Sequence, residues 1–120
     1  MIDRINPPGA PAPRGPYSPA VRAGDFIFVS GQVPAEPGDV AHETRQVLNG
    51  LKRILEGCGA SLADVVKCGV FLADGKDFAA MNAVYAEFFG EAKPARSTVV
   101  TGFALPNIKV EIDAIAYKPS

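Results

Sequence analysis

Five consecutive residues, Phe26-Ile27-Phe28-Val29-Ser30, limit the architectures open to this chain more than any other stretch. The first four are β-branched or aromatic, and Gly31 closes the run, which reads as a strand. Successive side chains of a strand point to opposite faces, so Phe26 and Phe28 share one side and Ile27 and Val29 the other. Both sides are apolar and both need cover. The rest of the chain supplies only two amphipathic helical patterns, enough to cover one face of a sheet. Burial alone therefore predicts a homo-oligomer, because an uncovered apolar face otherwise stays in water as a large patch.

The first helical pattern is the stripe Val40, Thr44, Val47, Leu48, Leu51, Ile54, Leu55 and Cys58, with Gly57 and Gly59 suited to its end. A second runs through Phe78, Met81, Tyr85, Phe88 and Phe89, capped by Asp77 and ended by Gly90. Strands are predicted at Val65 to Leu72, Ser97 to Thr101 and Val110 to Ala116, with Asn107 in the last turn. Six prolines between residues 7 and 19 forbid helix or central strand there and predict an extended arm. The order is a short N-terminal strand or hairpin, then helix, strand, helix and two strands. It gives an α+β sandwich of one sheet with two helices on one face. At 120 residues, with no internal repeat, residues 1–120 read as a single domain.

Twelve basic against thirteen acidic residues leave a net charge of −1, so no general basic field exists to hold nucleic acid or anionic lipid. No apolar run approaches the ~20 residues of a membrane span, and the N-terminus lacks the pattern of a signal peptide. Cys58 and Cys68 are the only cysteines and have neither CxxC spacing nor a nearby His, so they read as buried free thiols. A cytoplasmic protein is expected. His42 is the only histidine and falls off the apolar stripe, which removes His-based triads and two-His zinc sites. No glycine pattern suits a phosphate cradle, and neither a metal nor a nucleotide cofactor is expected.

Two polar features remain. Arg96 stands where the chain enters a strand, and Glu111 and Asp113 share one face of the last strand. If those two strands pair as a hairpin, Arg96 and Glu111 are neighbours. Their plain reading is a structural ion pair and a solvated strand face. Their chemical reading is an arginine fork gripping a carboxylate beside an acid that orients or deprotonates water.

Taken together, Gly15-Pro16-Tyr17-Ser18, Phe28-Val29-Ser30-Gly31-Gln32, Asp77-Phe78-Ala79-Ala80-Met81-Asn82, Tyr85, Phe88-Phe89, Pro94-Ala95-Arg96-Ser97 and the strand from Val110 to Ala116 closely resemble the RidA/YjgF family of enamine/imine deaminases. The match runs in order over nearly the whole chain. The resemblance implies a chorismate-mutase-like two-layer fold with a mixed sheet and a homotrimer with clefts between subunits. It also implies cofactor-free hydrolysis of 2-aminoacrylate or 2-iminopropionate to a 2-keto acid and ammonia. Arg96 matches the carboxylate-binding arginine and Glu111 the acid that orients water. Tyr17 and Ser30 match cleft residues, and Phe88 and Thr98, within matching segments, are taken as substrate-binding. Thr98 stands where many members have Cys, so no thiol role carries over, and Leu105-Pro106 falls one residue later than the common spacing. The competing expectation is a non-catalytic trimer that binds small carboxylates or docks a partner. Ribonuclease activity, attached to some relatives, has little support from the balanced charge and lone His42.

Overall fold

A computed structural model describes residues 2–119. Its strands are β1 (Ile2–Ile5), β2 (Ala20–Ala23), β3 (Phe26–Gln32), β4 (Val65–Leu72), β5 (Ala95–Val100) and β6 (Val110–Tyr117). The helices are α1 (Val40–Gly57) and α2 (Phe78–Phe89). All strands join one sheet in the order β1-β2-β3-β6-β4-β5. Only the β4–β5 pair is parallel, with α2 as its crossover, and every other neighbouring pair is antiparallel.

The alternation read from Phe26 to Val29 decides which face meets the helices. Ile27 and Val29 are buried with Val70, Leu72, Val110 and Ile112 against Val47, Leu48, Leu51 and Leu55 of α1 and Met81 of α2. Full burial of each such side chain contributes roughly 1.5–3 kcal/mol. Phe26 and Phe28, at 41% and 43% exposed, stand on the opposite face, which no helix among the described residues covers.

Asp39 starts α1 by accepting the His42 N–H at 2.8 Å. Beyond its end, Gly59 takes φ +81°, as a helix stop requires. Gly57 is needed for a different reason: an added Cβ would lie 2.5 Å from Pro7, which folds the N-terminal arm onto α1. That arm has no strand between Asn6 and Pro19, as its prolines demand.

Three expectations are corrected. β5 and β6 do not form a hairpin, because β4 lies between them and takes β5 in parallel and β6 antiparallel. Of these three strands the middle one is the more apolar β4, whose two-sided pairing satisfies both of its edges. Asp77 precedes α2 but makes no capping bond; Asp74 accepts the Lys76 N–H instead, in a short 3-10 turn leading into the helix. The buried stripe of α2 includes Val84, while Phe78 is 46% exposed.

Candidate active site

Glu111 lies on the uncovered face of β6, opposite Phe71 of β4 and two residues before Asp113 on the same face. The two acids have different surroundings. Asp113 Oδ1 accepts the Gly69 N–H at 2.9 Å and so is tied to β4. Glu111 makes no hydrogen bond to protein among the described residues. Burial, and then the Asp113 charge, push its carboxyl above the ordinary glutamate range. A carboxylate so placed accepts a proton more readily than a solvated one.

A bulge in β3 brings further groups to this acid. The register against β6 shifts between Val29 and Gln32, so Ser30 and Gly31 leave the regular alternation. Gly31 has no Cβ, and one added there would fall on the Glu111 carboxylate. The Ser30 hydroxyl donates to the Ser18 carbonyl at 2.6 Å and the Ser30 N–H to Pro19 at 3.0 Å, which fastens the proline arm to the bulge. Tyr17 follows a tight turn on that arm, and its hydroxyl accepts the Arg14 N–H at 3.3 Å.

Between the arm, the bulge and the 101–109 connection lies a cavity of about 660 Å³. Tyr17, Ser30, Gly31 and Glu111 line it, with Phe103, Leu105 and Ile108 from the connection. The shifted Leu105-Pro106 segment thus forms part of the cavity wall. Beneath it Glu43, fully buried on α1, accepts the Lys109 N–H at 2.9 Å and the Gly38 N–H at 3.3 Å, joining the loops on both sides of the cavity.

Arg96, Thr98 and Phe88 do not line this cavity. Arg96 pairs in register with buried Cys68 and Thr98 with buried Val70, so both stand on the helix side of the edge strand β5. The Arg96 guanidinium sits 4.8 Å from the Tyr85 ring centre and 5.6 Å from that of Phe78. Tyr85 is buried and its hydroxyl makes no well-formed hydrogen bond. Phe88 is half-buried on α2. Within one chain, therefore, the six expected site residues divide: Tyr17, Ser30 and the expected catalytic acid Glu111 lie at the cavity, Arg96 and Thr98 on the β5 edge strand, and Phe88 on α2.

The remaining candidates behave as packing or surface groups. His42 is exposed and 3.4 Å from Glu36. Cys58 and Cys68 are free, and burial raises both thiols. Among the described residues, no group of three or more His, Cys, Asp and Glu side chains is arranged to hold a metal ion. No described helix is long and apolar enough to cross a membrane.

Sequence reading passed over Glu43 and Arg14. Glu43 had a visible signal, since it lies three residues after Val40 and four before Val47, an acid on an apolar stripe. Arg14 had none.

A two-layer α+β domain with a carboxylate and two hydroxyls around a cavity at the bulged centre of its mixed sheet defines the class. The sequence model of the family described as Endoribonuclease L-PSP matches residues 8–118, and the chain belongs to this family, RidA/YjgF. A RutC family protein of Pyrococcus horikoshii is 52% identical, covering 98% of this chain and 99% of its own. The 3-aminoacrylate deaminase RutC of Acinetobacter baylyi is 42% identical over 94% of this chain and 95% of its own. The crystal structure of the YjgF gene product of E. coli superposes with a TM-score of 0.83 at 43% identity, covering 90% and 92%.

Proposed function

We propose that this chain hydrolyses reactive enamine and imine acids of the 2-aminoacrylate/2-iminopropionate type to a 2-keto acid and ammonia. It does so without a cofactor, as a homotrimer. The observation that carries this reading is Glu111, a partly desolvated carboxylate with no protein hydrogen bond among the described residues, lining the same cavity as Tyr17 and Ser30. The name of the Acinetobacter baylyi relative, an enamine-acid deaminase, supports the same chemistry.

The enamine first tautomerises to the imine. Glu111 takes a proton from water as its oxygen bonds to the imine carbon, and the C=N electron pair moves to nitrogen, giving a carbinolamine. Protonation of that nitrogen and collapse of the hydroxyl to C=O release ammonia and the 2-keto acid. A protonated imine is already electrophilic, so positioning and proton transfer suffice, the latter typically contributing about 10²–10⁴-fold. Arg96 is the carboxylate clamp. Because it stands on an edge strand away from the cavity of its own chain, it serves the cavity of a neighbouring copy, with Thr98 two residues on along the same strand face and Phe88 of α2 also contributing. The uncovered apolar face supplies the reason for that copy to bind. Free, unactivated thiols suit a reducing cytoplasm. Balanced charge and a surface His42 give no cationic track for RNA.

Ammonia and keto-acid release from imino acids generated by an amino-acid oxidase, measured against the spontaneous rate, tests the proposal. Acceleration by the wild type, lost in Glu111→Gln while small-carboxylate binding persists, is the expected result. Binding without any acceleration would replace the deaminase with a carboxylate-binding module.

A further inference from the structure

Arg14 lies in the proline arm between Pro13 and Gly15, and it is exposed. Its N–H donates to the Tyr17 hydroxyl, and both residues line the cavity. Arg14 and Glu111 are the two charged residues of that lining, and the rest is largely apolar, with Pro11, Val33, Ile54 and Leu105 among it. Among the described residues the Arg14 side chain has no acid within ion-pair distance. Nor does it offset Glu111, whose raised carboxyl is explained by burial and by Asp113.

The chemistry proposed above needs one cation, for the α-carboxylate, and Arg96 fills that role. A second cation at the same cavity is therefore surplus to a monocarboxylate. We propose that Arg14 is a specificity residue that binds a second anionic group, so that the preferred substrates are imino acids with a side-chain carboxylate. This rests on the deaminase reading for turnover but not for binding. The guanidinium fork matches a carboxylate bidentately, and the exposed Arg14 is free to take one up.

The test compares 2-iminosuccinate with 2-iminopropionate, each generated in situ, in wild type and Arg14→Gln, alongside calorimetric binding of 2-oxoglutarate and 2-oxobutyrate. Wild type should favour the dianionic imine and the dicarboxylate. Arg14→Gln should lower both preferences, each read as a ratio, at least tenfold, on the scale of a lost hydrogen bond to a charged group. An Arg14→Lys variant should recover part of each ratio. If neither imine is turned over yet Arg14→Gln abolishes the dicarboxylate preference, the deaminase reading falls and the second anion site stands. Equal wild-type affinity for the two keto acids, or a preference unchanged in Arg14→Gln, overturns the inference.

Discussion

At the scale of single residues, the two acids of β6 differ by one hydrogen bond, and this separates their chemistry. Asp113 is held by the Gly69 N–H, whereas Glu111 is left with burial and a neighbouring charge. Its carboxyl is raised in the folded chain, so between the unfolded and folded values the native state binds more protons. Stability then falls as pH rises through that window. Glu111→Gln removes this effect. The variant should melt higher than wild type at pH 7, with the difference vanishing below about pH 4, near the unfolded glutamate value, while turnover is lost. Wild-type kcat/KM should rise with pH as Glu111 ionises, with its midpoint above the ordinary glutamate value. A profile flat from pH 4 to 8, or an unchanged melting temperature, would remove Glu111 as the titrating base. Arg96 gives a second test at this scale. A site needing only positive charge tolerates lysine, but a planar clamp does not, since misplacing substrate by about 1 Å can cost ~10²-fold. Arg96→Lys should lower kcat/KM at least tenfold, and wild-type turnover on 2-iminopropionate would show that orientation is not its role.

At the scale of elements, the cavity is built by segments that are not themselves regular. The arm, the β3 bulge and the 101–109 connection are held by side chains from regular elements, above all Glu43 of α1. Glu43→Ala would leave the Lys109 and Gly38 N–H groups without their acceptor, at roughly 1–3 kcal/mol each. The partner Lys109 amino group, 3.5 Å away and half-exposed, can turn to water. Urea denaturation should therefore show a loss of about 2–4 kcal/mol, and a change below 0.5 kcal/mol would mean the loops are held otherwise. The same scale explains which expectations failed. Periodicity located α1 within a residue of its ends, because a strong 3.6-residue stripe reports the helix directly. It did not reveal that β4 separates β5 from β6, because strand order depends on which edges pair and leaves no trace in either strand's own pattern.

At the scale of the whole molecule, two groups of residues expected to act together lie apart, and one apolar sheet face lies open. The trimer proposed above would account for both. Light scattering at micromolar concentration should give three times the chain mass, and a monomer would exclude a site shared across subunits. Replacing Phe28, on the open face, with Asp should dissociate the assembly while leaving the chain folded, because its burial in the single chain is incomplete.

The sequence by itself determined what local physics decides: the helix from its stripe, the arm from its prolines, the strands from β-branched runs, and an excess of apolar faces over helices to cover them. Its motifs also placed Tyr17, Ser30, Arg96 and Glu111 in one family's pattern. Only the tertiary structure decided which of these share a cavity. It showed Gly31 giving way to the Glu111 carboxylate, Glu43 joining two loops, and Arg14 brought to the same wall. The physical reason is range. Backbone propensity and side-chain alternation act over a few residues, while a site joins groups some eighty to a hundred positions apart, through a sheet order that no single segment encodes.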